Sequence, residues 1–467
     1  MQGIKGRRYI LIGIILSFHL IVVCKAQIPR DDAWNQLPDI LSRIVPPIFL
    51  DNYFLVTNYG AVADGQTDCT LAFRQAIQTC HDAGGGHVVV PKGNFLTGAI
   101  HLKSNVNLQL AEGATILFSR DPNHYLPVVF SRWEGVECMN YSPFIYAFEQ
   151  QNIAITGMGT LDGQANENYW WPWKGRKEHG WEKDTPSQDA ARDKLLQMAE
   201  DNVPVEQRIM GDGAYLRPQF IQPYRCKNVL IENVTIKNSP MWEIHPVLCE
   251  NVTVKNVTII SHGPNNDGCD PESSRDVLIK GCLFDTGDDC IAIKSGRNAD
   301  GRRVNVPSEN IVVQDCIMKD GHGGVVIGSE ISGNIRNVFA ENCTMDSPNL
   351  ERALRIKTNS VRGGVVENVF MRNVTVGQVA DAILRINLNY EEGDTGPYTP
   401  RIHNIHMTNV TSQKSPYALR IEGYKRSPIT SVIIRDCSFD HVAKKSILKN
   451  VDGLEMVNTK VNGDVVE

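Results

Sequence analysis

The segment NVLIENVTI at residues 228–236 returns in the same pattern as NVTVKNVTI at residues 251–259, and this repetition decides the fold. In each copy, apolar and polar residues alternate over a short stretch that then turns on Asn, Asp or Gly, which is typical of a half-buried β-strand. Further copies begin at Asp276, Asn310, Asn337, Asn368, Asn404 and Ser431. A unit that recurs every ~20 to 50 residues indicates stacked supersecondary units.

The spacing between the copies predicts an all-β solenoid. No segment between them resembles the crossover helix of a βαβ unit, so we expect a parallel β-helix in which each coil stacks on the last. Stacked strands lie about 4.8 Å apart, and equivalent positions therefore form columns of side chains. The solenoid is expected to begin near residues 84–116. A short helix over residues 70–86, ended by three glycines, is predicted to cap the first coil.

One region departs from the repeat. Residues 164–217 contain four tryptophans and a predicted helix from Ser187 to about Glu200. We expect a long insertion on one face of the solenoid, which is where binding loops tend to lie.

Composition narrows the class of protein. The chain has 467 residues, of which 42% are hydrophobic and 21% charged, which is ordinary for a globular protein. A formal net charge of -6 argues against nucleic acid as the main partner, and an acidic ligand would need a local basic patch.

The N-terminus predicts export. Lys5, Arg7 and Arg8 precede an apolar run at residues 9–23, and a small-residue cleavage site follows. This is the layout of a signal peptide at residues 1–26, followed by one catalytic domain at residues 27–467; the alternative is a retained signal anchor. We therefore expect a secreted protein that has no membrane contact once the signal is cleaved.

Glycosylation motifs agree with secretion. Asn-X-Ser/Thr begins at Asn140, Asn233, Asn251, Asn256, Asn342, Asn373 and Asn409. Some of these motifs also suit a strand edge. Removal of Cys24 with the signal would leave an odd number of cysteines and hence at least one free or intermolecular thiol.

The segment DTGDDCIAIKSG at residues 285–296 sets Asp288 and Asp289 side by side before an apolar run. Taken alone, the pair could be a solvated turn. Asp267 stands one repeat earlier and His322 about one repeat later, and Arg355 and Lys357 follow one repeat further on.

In columns of stacked coils, these three carboxylates, one histidine and two cations would line up over four coils. Clustered carboxylates cost stability unless function requires them, so the cluster predicts a catalytic site. Neither Cys-x-x-Cys nor His-Glu-x-x-His occurs, and we expect no metal or other cofactor.

Four ordered motifs carry a family resemblance: Asn-x-Asp at residues 265–267, Gly-Asp-Asp at 287–289, Gly-His-Gly at 321–323 and Arg-x-Lys at 355–357. From NYGAVADGQTD at residues 58–68 onward, the chain resembles glycoside hydrolase family 28, the polygalacturonases, and in particular its plant-like members. The resemblance implies a right-handed parallel β-helix that hydrolyses α-1,4-galacturonosyl bonds of pectin with inversion, and we expect an extracellular cell-wall enzyme that acts as a monomer.

The resemblance also implies roles for the clustered residues. Asp288 would be the general acid, and Asp267 and Asp289 would hold and activate the attacking water. His322 would support the protonation of the acid.

Substrate-binding roles would fall on the remaining motif positions. Arg355 and Lys357 would bind a galacturonate carboxylate, Asn265 belongs to the Asn-x-Asp motif, and Tyr390 stands where the family often has a substrate-contacting tyrosine. The four tryptophans of the insertion would either stack on sugar rings or pack inside the insertion.

The chemistry agrees with those roles. An inverting glycosidase needs one protonated and one ionised carboxyl, about 6.5 to 9.5 Å apart, so that a water fits between them. Crowding three carboxyls raises the pKa of at least one of them, which predicts activity at mildly acid pH.

Departures from the family pattern leave alternatives open. Lys319 and Asp320 stand where many relatives have a cysteine, so no partner is predicted for Cys290. The insertion, together with SPMWEIHPVLCENV at residues 239–252, resembles a branch that includes exo-acting members. A rhamnogalacturonan or xylogalacturonan hydrolase, and an inactive pectin-binding wall protein, remain alternative hypotheses. A pectate lyase could share the solenoid but would be expected to need calcium.

Overall fold

The computed structural model describes residues 32–466, and the predicted signal peptide at residues 1–26 lies outside the described residues. None of the helices in the described part is long and apolar enough to span a bilayer. The four α-helices are α1 (Leu37–Arg43), α2 (Thr70–Asp82), α3 (Asp189–Glu200) and α4 (Asn298–Val304).

The first coils of the solenoid form earlier in the chain than predicted. Their strands are β1 (Tyr53–Leu55), β2 (Asp64–Asp68), β3 (Gly86–Val90), β4 (Gly93–Thr97), β5 (Ile100–His101), β6 (Val106–Leu110) and β7 (Ala114–Phe118). Strand β1 pairs in parallel with β3, and β2 pairs with β4, so the solenoid begins before residue 84. The expected start was too late because two short, mostly exposed strands carry little apolar alternation.

The capping helix is confirmed as α2, which connects β2 to β3. Its buried residues recur three or four positions apart, the period of one helix face. They are Ala72, Phe73, Ala76, Ile77 and Cys80. These side chains join the solenoid core, and the helix stops just before Gly84 and Gly85, whose φ angles of +92° and +116° favour glycine.

The middle of the chain contains six strands, three of which belong to the coils and three of which form a side element next to them. Its strands are β8 (Val129–Trp133), β9 (Val136–Asn140), β10 (Ile145–Phe148), β11 (Gln151–Gly157), β12 (Thr160–Asp162) and β13 (Ile209–Met210). Strands β8 and β9 form an antiparallel hairpin, and β13, from the end of the predicted insertion, pairs with β9. The helix predicted in the insertion is α3.

The remaining strands complete the stack. They are β14 (Ile221–Tyr224), β15 (Lys227–Glu232), β16 (Thr235–Lys237), β17 (Glu250–Lys255), β18 (Thr258–Ser261), β19 (Arg275–Lys280), β20 (Leu283–Thr286), β21 (Ile291–Ile293), β22 (Ser308–Gln314), β23 (Ile317–Met318), β24 (Val325–Gly328), β25 (Ile335–Glu341), β26 (Thr344–Met345), β27 (Arg352–Lys357), β28 (Val365–Gln378), β29 (Ala382–Asn387), β30 (Arg401–Lys414), β31 (Tyr417–Glu422), β32 (Ile429–Arg435), β33 (Ser438–Phe439), β34 (Ile447–Lys449), β35 (Val451–Val457), β36 (Thr459–Val461) and β37 (Asp464–Val466). The fold is the predicted right-handed parallel β-helix.

The repeated segments stack in register, as predicted. Val229 lies opposite Val252, which lies opposite Val277, and the column continues through Ile311 and Val338. All five side chains are buried in one core that runs the length of the solenoid. The alternation therefore reports which side chains face inward.

An apolar patch on the outside of the coils has a separate cause. Val312, Phe339 and Phe370 lie on alternate, outward-facing positions and are nevertheless buried, because the apolar face of α1 covers them through Leu37 and Ile40. The repeat pattern did not predict this second helix-to-solenoid contact.

The cysteines form no disulfide within residues 32–466. All eleven there are free and buried, and Cys290 lies against the backbone carbonyl of Asp320 rather than against another sulfur. The odd count predicted at least one free thiol.

Candidate active site

The predicted site residues converge on one cleft of about 360 Å³. It opens on one face of the solenoid, where two sheets follow each other along the stack. The first contains β5, β10 and β14, the second contains β21, β24 and β27, and single bridges at Ile244 and Cys269 connect the two. Seven of the eight predicted residues line the cleft: Asn265, Asp267, Asp288, His322, Arg355, Lys357 and Tyr390. The eighth, Asp289, is fully buried behind them.

Backbone hydrogen bonds between successive coils bring the aspartates together. The Gly268 N–H donates to the Asp289 carbonyl at 3.0 Å, and the His322 N–H donates to the Asp288 carbonyl at 3.0 Å. Glycine is required at 287, because a Cβ there would lie 2.4 Å from the Gly263 carbonyl oxygen. The Gly-Asp-Asp motif thus seats its two carboxyls against the preceding coil.

The three carboxyls lie closer together than predicted. One oxygen each of Asp267, Asp288 and Asp289 lies within 4.8 Å of the others, whereas a separation of about 6.5 to 9.5 Å was expected. They lie closer than expected because Asp288 and Asp289 are consecutive residues and Asp267 belongs to the directly preceding coil, which stacks at about 4.8 Å.

Asp289 is neutralised by the two cations of the Arg-x-Lys motif. Lys357 Nζ donates to Asp289 Oδ2 at 2.7 Å, and Arg355 Nη1 donates to Asp289 Oδ1 at 3.3 Å. As predicted, Ile356 between them faces the core. Tyr390 lies beside both cations, with its ring centroid 5.3 Å from the Lys357 ammonium.

Asp288 is the carboxyl that reaches the cleft. Its side chain is 17% exposed, against 4% for Asp267 and 0% for Asp289. His322 Nδ1 lies 2.8 Å from Asp288 Oδ1. Burial opposes ionisation, but this hydrogen bond and the charges of His322 and Lys357 hold the pKa of Asp288 well below its usual range. The same contact raises the pKa of His322 to about 9.

Asp267 is the carboxyl of the trio whose pKa is raised. Burial and the neighbouring charge of Asp288 raise its pKa well above the usual value. Lys294 approaches Asp267 Oδ2 at 3.4 Å, and Oδ1 has no hydrogen-bond partner within the described residues. Crowding was predicted to raise the pKa of at least one carboxyl, and it does so at Asp267 rather than at the expected acid, Asp288.

Lys294 is the important residue that the motif search missed. Its ammonium lies at 3.4 Å from Asp267, 3.7 Å from Glu330 and 3.9 Å from Asp270, so it is the main positive charge beneath the cluster. A signal was present in the sequence: IAIK at residues 291–294 matches LRIK at residues 354–357, in which the final lysine lines the same sheet.

The insertion closes the cleft at the side of the earlier coils. Leu195, Ala199 and Leu216 pack on Met241 and Trp242, which belong to the coil just before Asp267. The outward-facing residues of those earlier coils, Gln222 and His245, are fully buried. No groove therefore continues over them.

Charged side chains form the rim of this closed end. Arg192 of α3 donates to Glu134 of the hairpin at 2.7 Å. Arg297 lies within 3.5 Å of Glu134, Glu330 and Glu391, so it links the hairpin to two later loops.

Three of the four tryptophans pack against the solenoid, and none of the four lines the cleft. Trp170 is buried against Phe144 and Trp173, and the Trp171 indole N–H donates to the Ser239 carbonyl at 2.9 Å. The Trp181 indole N–H donates to Thr185 within the insertion. The tryptophans therefore pack rather than line the cleft, but Trp170 and Trp171 attach the insertion to the solenoid instead of packing only inside the insertion.

Among residues 32–466, two groups of side chains have the spacing of metal ligands. One is the catalytic trio itself, and the other is His262, Asp285 and Asp320. Beside the trio, Lys294, Arg355 and Lys357 already supply positive charge, so a cation there would meet repulsion.

Comparison with known proteins identifies relatives of the chain. Residues 210–460, more than half of the chain, match the family model described as glycosyl hydrolases family 28, and residues 53–114 match one described as rhamnogalacturonase A/epimerase, pectate lyase-like. The crystal structure of an exopolygalacturonase from Thermotoga maritima aligns with a TM-score of 0.91 at 47% identity, over 93% of this chain and 97% of that one.

Two curated proteins are similar over most of this chain. A probable polygalacturonase of Vitis vinifera is 29% identical over 407 residues, covering 84% of this chain and 74% of its own length. An exo-poly-alpha-D-galacturonosidase of Dickeya chrysanthemi is 28% identical over 396 residues, covering 77% of this chain and 62% of its own length.

Proposed function

The chain belongs to glycosyl hydrolases family 28 and is a glycoside hydrolase, and from this premise we propose that it is a plant-like polygalacturonase that cuts pectic galacturonan from a chain end. The observation that carries the proposal is the trio of carboxyls beside His322, in a cleft whose cations suit an acidic sugar. The exo-acting relatives from Thermotoga maritima and Dickeya chrysanthemi support attack at the chain end.

Asp288 serves as the general acid in this proposal. Of the trio it alone is exposed enough to approach a glycosidic oxygen. The proton that it delivers comes from the His322–Asp288 hydrogen bond, because His322 carries a proton up to about pH 9. His322 passes this proton to Asp288 as substrate binds; as the glycosidic C–O bond breaks, Asp288 donates it to the leaving oxygen, and solvent then reprotonates His322.

The attacking water is held between Asp267 and Asp289. Asp267 Oδ1 is buried and has no hydrogen-bond partner among the described residues, and Asp289 forms ion pairs with Arg355 and Lys357. The water adds to the anomeric carbon and loses its proton to this pair, which inverts the configuration. Because the carboxyls are closer than in most inverting enzymes, the inversion rests on this water position rather than on their spacing.

The closed end of the cleft supports exo attack. A polymer cut internally must lie across the catalytic coil and extend over the coils on both sides. Here the insertion and the hairpin bury the outward faces of the preceding coils. A chain end fits this shape, and the product is galacturonate or a short oligomer.

Secretion, a monomeric state and glycosylation belong to the same proposal. The signal-like N-terminus supports export. Five of the seven glycosylation motifs begin at an exposed asparagine, whereas Asn140 is fully buried and would not accept a glycan in the folded protein.

Digestion of homogalacturonan, followed by chromatographic sizing of the products, tests the proposal. The expected products are saturated galacturonate or short oligomers, with no loss of activity in EDTA. Unsaturated products that require calcium would indicate a lyase. Release from rhamnogalacturonan or xylogalacturonan alone would favour those alternative substrates.

Proton NMR of the first product tests the stereochemistry. Inversion at an α-linked sugar releases the β-anomer before mutarotation, and an initial α-anomer would overturn the proposed role of the water.

A further inference from the structure

Lys174 is the one cation lining the cleft that has no carboxylate partner within the part of the chain that the structure describes. The others each lie within 4.0 Å of a carboxylate oxygen. They are Arg176, Arg192, Lys294, Arg297, His322, Arg355 and Lys357. Lys174 donates instead to a neutral amide oxygen, Asn265 Oδ1, at 2.7 Å.

A second cation behind Lys174 adds to the uncompensated charge. Arg217 is fully buried and donates to that same Asn265 oxygen at 2.8 Å. Its other hydrogen bonds go to Gln188 and to the carbonyls of Pro240 and Pro264, all neutral acceptors. Arg217 is buried and Lys174 is half-buried, and charges that lack a carboxylate at contact distance are costly to bury, so this pair favours the binding of an anionic group in the cleft.

The pKa shifts of the two cations agree with an anion-binding site. Burial lowers the pKa of Lys174 although the charge of Glu134 opposes the shift, and burial lowers the pKa of Arg217 to about 10 against the charges of Glu134 and Asp288. The nearest acid on the wall, Glu134, is already bound by Arg192 and Arg297. A bound carboxylate would lower the electrostatic cost of both cations.

We propose that Lys174, backed by Arg217, forms a carboxylate-binding subsite at the closed end of the cleft and selects a terminal sugar unit that carries a free carboxylate. This inference rests on the proposed function and deepens it. Arg355 and Lys357 lie on later coils and already neutralise Asp289, so Lys174 is the cation left to receive the terminal unit.

The Lys174 subsite determines which form of substrate the enzyme accepts. A methyl ester on the terminal unit removes the charge that Lys174 would bind and leaves the half-buried ammonium with only the neutral Asn265 amide as its hydrogen-bond partner. A hydrogen bond to a charged group is commonly worth a factor of ~10 to 100 in binding. The wild-type enzyme should therefore discriminate against that ester by about this factor in kcat/KM.

The test compares trigalacturonate with two trimers that carry one methyl ester at either terminal unit. Lys174→Gln keeps a donor to Asn265 but removes the charge. We expect it to lower kcat/KM on the free acid ~10- to 100-fold, to leave the rate on the terminal-unit ester nearly unchanged, and so to abolish the discrimination. Lys174→Arg should retain it.

Lys177→Met is the matched control, because Lys177 is exposed on the same insertion and does not line the cleft. It should behave like the wild type. Equal losses on acid and ester in Lys174→Gln, with or without a lower Tm, would mean that Lys174 only tethers the insertion, which overturns the inference. A wild-type enzyme that cleaves no galacturonate oligomer would instead overturn the proposed function.

Discussion

A hydrogen bond joins Asp288 and His322 in the cleft. The two residues belong to separate motifs, Gly-Asp-Asp and Gly-His-Gly. The pKa of Asp288 is lowered and that of His322 is raised to about 9, so the unliganded pair holds its proton on the histidine. In the proposed mechanism, the carboxyl becomes an acid when substrate excludes water and the proton shifts toward it, so that His322 would be a proton source as well as a support.

Replacement of the acid should abolish most of the activity. We expect Asp288→Asn to fold normally and to lower kcat at least ~100-fold, because general acid catalysis commonly contributes that much. Asp285→Asn is the matched control, since Asp285 lies on β20 and pairs with the exposed His262 outside the cleft. Steady-state kinetics on oligogalacturonate measure the effect, and a near-normal rate would remove Asp288 from the mechanism.

The pH profile should reflect the histidine. A raised pKa means that the protonated form persists below about pH 9 and is lost as the pH rises through that value. We expect kcat/KM to hold from mildly acid pH to about pH 8 and then to fall, which extends the mildly acid range predicted from the carboxyls alone.

Replacing the histidine tests that assignment. In His322→Asn the acid must retain its own proton, so activity should be confined to acid pH. An alkaline limb that does not move in this variant would separate His322 from the proton step.

At the scale of the repeated element, one asparagine at the start of each strand sets the turn. Asn228, Asn251, Asn310, Asn337 and Asn368 all have φ between 58° and 60°. The side-chain amide of each donates to the side-chain oxygen of the residue one coil earlier, as Asn368 does to Asn337 at 3.0 Å. Asparagine tolerates the left-handed conformation and also makes this bond, which explains its recurrence in the repeat.

Breaking one rung of this ladder should cost measurable stability. Asn337 donates to Asn310 and accepts from Asn368. We expect Asn337→Ala to lower the free energy of unfolding by ~2 to 4 kcal/mol, from two lost hydrogen bonds and a left-handed backbone.

Glycine separates these two causes. Asn337→Gly loses the same hydrogen bonds but tolerates the backbone, so it should cost ~1 kcal/mol less than the alanine variant. Denaturant unfolding measures both, and equal losses would show that backbone strain contributes nothing.

For the whole molecule, the insertion changes a groove into a pocket. The packing of α3 and β13 on the hairpin and on Met241 and Trp242 covers the coils before the catalytic one. In the proposed exo mode, closure on this side would leave room for a chain end and prevent the polymer from crossing the site.

Viscosity distinguishes the two modes of attack on homogalacturonan. We expect reducing ends to accumulate while viscosity falls slowly, because removal of terminal units hardly shortens a long polymer. An endo-acting polygalacturonase assayed on the same polymer is the control. A rapid early collapse in viscosity would mean that the polymer crosses the site and is cut internally.

The sequence by itself determined the solenoid, the order of its coils and the membership of the site. Alternation and turn residues are local signals, and in a stack of coils residues one repeat apart are neighbours. Asp267, Asp288, Asp289 and His322 could therefore be grouped before any coordinates. Lys294 could have been found in the same way.

Only the tertiary structure decided how charge is distributed in the cleft and where the cleft ends. No local pattern encodes the side-chain distances that pair Asp289 with Arg355 and Lys357. The same holds for Lys174, which has no carboxylate partner among the described residues and donates to Asn265 instead. The insertion has no repeat, so nothing in its sequence specified which coil it covers. Trp170, Trp171 and Trp173 pack on solenoid residues that are distant in sequence, and a one-dimensional pattern does not record such contacts.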